Sequence, residues 1–160
     1  MVEADFILDP SKVAYVDTEV DGKYLERIFP VRARWSAAEA VAASNTGLHA
    51  AITDNGSEQV VQGSAIGAMP CARNVRATAG GTAGDIGAIS PIIEGYDIAG
   101  NFITETLPAF TANSAGSVEG AKAFARVTKI TAPAHDGTGA TASFGWGDLL
   151  GLPVKRDSNT

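Results

Sequence analysis

The chain is poor in the residues that carry covalent chemistry. Its 160 residues include one cysteine, Cys71, and two histidines, His49 and His135. A single cysteine excludes an internal disulfide, and its ordinary role is that of a small buried apolar residue. Neither histidine has a Cys, His or Glu at ligand spacing, whereas a zinc site takes three or four such ligands. No metal is therefore expected. Positive charge is also scarce, with 12 Lys and Arg against 18 Asp and Glu, for a net charge of −6. Phosphate binding needs a basic face, so the balance argues against a nucleic-acid partner. No apolar run approaches the ~20 residues that span a bilayer. The start, MVEADFILDP, has early acids and neither a basic n-region nor a long apolar h-region. The expectation is a soluble protein made in the cytosol, with no membrane partner.

Catalytic patterns are missing as well. No G-x-S-x-G occurs. His135 and Asp136 are adjacent, so on an extended chain they point apart, and they read as a polar turn. Residues 137–142 fit G-x-G-x-x-A, but a dinucleotide site needs a helix after the glycines, and the strand-like TASFGW follows instead. Residues 116–122, GSVEGAK, lack the Lys-Ser/Thr ending of a phosphate loop. Asp54-Asn55-Gly56 and Asp97…Gly100-Asn101 supply oxygens that calcium could use, yet such clusters are the ordinary material of turns. Glu94 and Glu105 form a nearby pair of acids on a hairpin and read as a solvated edge. Trp35 and Trp146 could form a sugar platform, but the apolar alternation around both favours core or interface. No catalytic, cofactor or metal residue emerges, and an enzyme is not expected.

What the chain does have is glycine, at 18 residues, with plentiful Ala, Thr and Ser. That composition favours many short strands and turns. The clearest pattern is residues 86–107, IGAISPIIEGYDIAGNFITETL. It reads as a strand carrying Ile89, Ile92, Ile93 and Tyr96, a turn at residues 97–101, and a strand over residues 102–107. Asn55-Gly56, between TGLHAAIT and EQVVQ, predicts a second hairpin. Further strands are expected over residues 27–35, 71–78, 121–131 and 140–146, with AGGTAGD and residues 111–120 as loops. Residues 36–43, SAAEAVAA, carry a capping-box pattern for one or two helical turns. The last two long strands, joined by APAHDGTG, are expected to pair. Phe124, Ile130 and Phe144 should meet Ile92, Ile103 and Leu107 in one core, with Val127 on the other side of its strand and Phe102 facing outward.

Strands of this length with regular turn signals predict an all-β protein, an antiparallel β-sandwich or barrel-like domain of short strands. The division is an extended N-terminal arm and first strand over residues 1–35, a β-sandwich over residues 36–154, and a flexible tail over residues 155–160. The first 30 residues have few glycines and widely spaced aromatics, Phe6, Tyr15 and Tyr24. They form either an arm that packs on another subunit or edge strands of the same domain. As an arm, their anchors would be Phe6, Ile7, Leu8, Tyr15 and Tyr24, since aromatic anchors dominate interface energy. Phe102 joins them as an interface candidate.

Several stretches resemble, in order, a family of small structural proteins of tailed phages. They are PCARNV followed by ATAGGTAGDI, then EGYDIAGNFITETLPAF, then GAKAFARVTKITAPAHDGTGATASFGWGDLLGLP. The resemblance covers about residues 52–153 and leaves the first 45 without a counterpart. It implies a virion structural protein, best read as a head decoration (cement) protein that binds the assembled shell. The implied partners are the major capsid protein and further copies of the chain, as a trimer, on the capsid surface of a virion assembled in host cytoplasm. A tail or head–tail connector component is the alternative within that class, and a carbohydrate-binding β module is the alternative outside it.

Overall fold

The computed structural model describes residues 42–151, which are all-β. Eight strands follow in chain order: β1 His49–Thr53, β2 Gln59–Gln62, β3 Arg73–Gly81, β4 Ile92–Tyr96, β5 Phe102–Thr106, β6 Gly116–Phe124, β7 Arg126–Ala132 and β8 Ala140–Leu150. They form two four-stranded sheets, ordered β1-β8-β3-β6 and β2-β7-β4-β5. Every pairing is antiparallel. The expected sandwich is therefore observed, and among the described residues each sheet ends in two edge strands rather than closing into a barrel.

Alternation along the strands builds the core. Val75, Ala77 and Ala79 of β3 are buried, as are Ala140, Ala142 and Phe144 of β8. Their register sets Ala77 opposite Phe144 and Ala79 opposite Ala142. The short side chains leave room for Phe124 and Phe144, both fully buried. Burying such a ring contributes about 1.5–3 kcal/mol. Leu48, Ile86, Leu107, Phe110 and Ile130 belong to the same cluster.

The central hairpin is β4 and β5, with Tyr96 opposite Phe102 and Gly95 opposite Ile103. Leu107 is buried and Ile103 packs against the core, as expected. The core residue of β4 is Ile93, however, and not Ile92, which lies opposite Thr106 on the outer side. Phe102 faces outward and is exposed.

Other expectations fail for physical reasons. Residues 121–131 are not one strand. The chain breaks at Ala125, whose N–H donates to the Tyr96 carbonyl at 2.8 Å, and passes from one sheet to the other. The crossing lets Phe124 and Val127 both point inward, although an uninterrupted strand would set residues three apart on opposite faces. As a result β7 and β8 lie in different sheets and do not pair. Asn55-Gly56 is not a hairpin either: β1 pairs with β8 and β2 with β7. Here the Asp54 carboxylate accepts from the Gly56 N–H and from the His135 N–H, which fastens the corner to a distant loop. Residues 116–120, expected in a loop, begin β6, where Ser117 and Thr78 hydroxyls meet at 2.8 Å. Ala79–Gly81 likewise extend β3 into the expected glycine turn. Ala42 and Ala43, the described part of the expected helical turns, are not helical. The expected strand over residues 27–35 and the tail over residues 155–160 lie outside the described residues.

Candidate functional site

The sheet-crossing corner fixes one end of the sandwich. In the first sheet Phe124 is in register with Arg73, and Arg73 with Leu150. In the second, Arg126 is in register with Tyr96, and Tyr96 with Phe102. Phe124 and Arg126 are separated only by Ala125, so all six residues share that end.

The hairpin turn at this end is tightly held. The Asp97 carboxylate accepts from the backbone N–H of Ala99 at 2.9 Å and of Asn101 at 2.8 Å, and from the Asn101 side chain at 3.0 Å. The Asn101 side-chain bond, followed by the backbone ones, holds the Asp97 carboxyl below its ordinary value. Gly100, at φ 82°, supplies the left-handed residue that closes the turn. Ile98 rides on this frame and is 49% exposed. Beside it Phe102 is 56% exposed and meets Tyr96 edge to face at 5.6 Å. The Arg126 guanidinium lies 4.7 Å above the Tyr96 ring, a cation–π contact that orients it. At the same end β8 carries Leu149 and Leu150, 54% and 44% exposed, next to Asp148, which reaches Arg73 at 3.4 Å.

Of the interface residues expected from sequence, Phe102 is exposed at this end. Phe6, Ile7, Leu8, Tyr15 and Tyr24 lie outside the described residues. The sequence reading missed Ile98, Arg126, Leu149 and Leu150. Ile98 was legible in principle, since it sits in the hairpin turn itself, whereas Arg126 needed the β4–β7 pairing. The β8 pair needed knowledge of which strands pair.

The remaining candidates are otherwise employed. Gly137 and Gly139, of the G-x-G-x-x-A match, donate their N–H groups to the Asp85 carbonyl and carboxylate. Residues 116–122 are strand rather than phosphate loop. Glu94 and Glu105 fall on opposite faces, because Glu94 pairs with Thr104 and Glu105 with Ile93. Glu94 meets Lys129 at 2.7 Å, and Glu105 accepts from the N–H groups of Ala121 and Lys122. The His135 Nδ1 accepts from the Gly87 N–H at 3.2 Å, and its ring stacks on Phe110. Trp146 packs against the core and donates from Nε1 to the Ala42 carbonyl. Trp35 lies outside the described residues. A cleft lined by Ile52, Asp54, His135 and Ala142 has room for about one water. No group of three His, Cys, Asp or Glu able to hold a metal ion occurs among the described residues, and none of their helices is long and apolar enough to cross a membrane. Compared with known proteins, the chain matches no family model, no curated protein and no solved structure.

Proposed function

We propose that this chain is a structural protein of a tailed-phage virion, a decoration protein that binds the assembled head and stabilises it without catalysis. The observation that carries the reading is the run of sequence stretches, in order, that resemble such proteins, from the Arg73-Asn74-Val75 strand to the GDLLGLP segment. They fall on the framework of the sandwich: β3, the β4–β5 hairpin, the β6–β7 corner and β8. Ile98 and Phe102, exposed on the hairpin turn, support a role through packing, since apolar side chains left in water gain from being covered by a partner. A protein that binds the expanded shell but not its separate subunits stabilises the shell by mass action, and several attachment points on an oligomer raise the apparent affinity.

The test is co-sedimentation of purified protein with expanded heads that lack it, together with localisation of the protein in intact virions. Saturable binding to heads and a position on the capsid surface are expected. Residence in the tail or connector, with no head binding, would replace this reading by the connector alternative. A chain lacking residues 1–25 should bind heads more weakly than the full chain while its β domain still melts cooperatively. Unchanged affinity would remove the arm anchors Phe6, Ile7, Leu8, Tyr15 and Tyr24 from the proposal.

A further inference from the structure

The corner between β1 and β2 holds the one Asn-Gly pair of the chain, Asn55-Gly56. The residue after this asparagine has no side chain, so its backbone nitrogen can approach the asparagine side-chain carbonyl with little hindrance. The chemistry open to such a pair is a ring closure. The Gly56 nitrogen loses its proton to hydroxide and attacks Asn55 Cγ. A new N–C bond forms, the bond from Cγ to the side-chain nitrogen breaks, and ammonia leaves with a proton taken from water. Water then opens the cyclic imide at one of its two carbonyls. One opening leaves aspartate at position 55; the other leaves a β-linked aspartate, with one more carbon in the backbone. The sum is amide and water to acid and ammonia. Asn55, Gly56, Ser57 and Glu58 are all exposed, so water and hydroxide reach the site. Space is open as well, since nothing lies within 4 Å of where a Cβ on Gly56 would stand.

The fold engages both reacting groups. The Gly56 N–H carries the proton that must be lost, and it donates to the Asp54 carboxylate. The negative charge of that carboxylate opposes an anion on the adjoining nitrogen. Asn55 Oδ1 accepts from the Ser57 N–H at 3.0 Å, which tethers the side chain that would be attacked. Asp54 is fixed in its turn, being buried, with Oδ2 accepting from the His135 N–H. Gly56 sits at φ 78°, which glycine adopts without steric cost. We infer that Asn55 is a covalent modification site, an imide-forming asparagine that the Asp54 corner keeps latent in the native fold and that converts when the corner opens. Conversion acts back on the corner. Either product sets a new carboxylate close to Asp54 and Glu58 in sequence, where like charges repel. The β-linked product also lengthens the backbone between Asp54 and Gly56, which displaces the Gly56 N–H from Asp54 and loosens the tie to His135. An opening of the corner thereby leaves a lasting chemical mark. The step needs no partner and is independent of any binding to heads.

The experiment is a time course of the full chain in mildly alkaline buffer, followed by peptide mapping with mass spectrometry at Asn55. The wild type is incubated both in native buffer and in concentrated urea. Two variants are incubated in native buffer, with circular dichroism as the check on folding. Asp54→Ala frees the attacking nitrogen. Ser57→Pro removes the N–H that tethers the Asn55 side chain, at an exposed residue whose φ is not positive. Asn55 is expected to convert in urea and to stay intact in the native wild type over the same period. Folded Asp54→Ala should convert about tenfold faster than the native wild type or more, the effect of losing one hydrogen bond to a charged group. Ser57→Pro should also convert faster than the wild type, and it decides the matter by itself if Asp54→Ala does not fold. Asn55 left intact in urea would show that it is no modification site. Conversion as fast in the native wild type as in urea would show that the fold does not keep it latent. Folded variants as slow as the wild type would overturn the assignment of the latch to this corner.

Discussion

Asn74 is a fully buried polar side chain that ties three strands together. Its Nδ2 donates to Glu119 Oε2 at 3.1 Å and to the Gly120 carbonyl at 2.9 Å, and its Oδ1 accepts from the Leu149 N–H at 3.0 Å. It stands where β3 slips register against both β6 and β8, so the side chain satisfies backbone groups that the ladder leaves open. Asn74→Ala should cost about 3 kcal/mol in chemical denaturation, because buried partners are stranded. Asn74→Asp should cost more at neutral pH, since it loses the donor and sets a second carboxylate beside Glu119. Glu119 itself offers a pH test. Burial disfavours its charge, but hydrogen bonds from Asn74 and Arg76, with the positive charge of Arg76 and Arg73, outweigh this and hold its carboxyl below the ordinary 4.5. A carboxyl whose pKa is lower in the folded chain adds stability above the unfolded value and loses it as pH falls through the folded one. Stability should therefore decline as pH drops below about 4.5, and Glu119→Gln should flatten that decline in denaturation midpoints measured between about pH 5 and about pH 3. Superimposable profiles for the two proteins would show that other carboxylates set the acid limb. The aromatic residues give a contrast that depends only on register. Phe144→Ala should cost about 3–5 kcal/mol as a fully buried ring. Phe102→Ala, on the exposed face, should stay within about 0.5 kcal/mol in the monomer.

Among the elements, the junction of β5 and β6 shows how two sheets are joined without a strand between them. These are edge strands of different sheets. The Glu105 carboxylate on β5 accepts from the N–H groups of Ala121 and Lys122 on β6, and Lys122 Nζ donates back to the Thr104 carbonyl at 2.7 Å. The exchange occupies backbone groups that an open edge would otherwise offer to another chain. Gly120 makes it possible, since a Cβ there would overlap Glu105 Oε2 and lie 2.8 Å from Leu107 Cδ2. Gly120→Ala should accordingly destabilise the fold by about 1–3 kcal/mol. The loss should shrink when Glu105→Ala is made as well, and equal losses in both backgrounds would mean that Leu107 alone meets the methyl group. Nothing in the sequence announced this junction. The β4–β5 hairpin was legible because its turn chemistry and its pairing are both local, with Asp97, Gly100 and Asn101 between the two strands that pair. The Asn55-Gly56 turn carried an equally strong local signal and joins strands that do not pair, because Asp54 ties it to His135, 81 residues away. The break at Ala125 has neither glycine nor proline to mark it, and only the burial of both Phe124 and Val127 betrays it. At the exposed end, Phe102 was legible through hairpin register, whereas Leu149 and Leu150 acquired meaning only once β8 was seen to reach the start of β3.

For the molecule as a whole, most pairings join distant parts of the chain. β4 with β5 is a local hairpin, but β1 and β3 both pair with β8, β2 pairs with β7, and β3 pairs with β6. Such a topology meets the loop-closure cost before the contacts that offset it, so folding should take milliseconds to seconds. β8 is the sharpest case. It is the last strand among the described residues, yet it lies inside its sheet, between β1 and β3. It brings Ala140, Ala142 and Phe144 to the core, and without it β1 has no strand partner among the described residues. A chain ending at Gly139 should therefore show no cooperative thermal transition by circular dichroism, and it should aggregate through the uncovered edges of β1 and β3. Loss of Phe144 alone does not explain such an outcome, because Phe144→Ala keeps every strand pairing and should still melt cooperatively at a lower temperature. The comparison of the two proteins thus separates the ring's contribution from the strand's. A cooperative melt from the chain ending at Gly139 would mean that the second sheet with β3 and β6 holds a core of its own, and that β1 and β8 are added to a domain already formed.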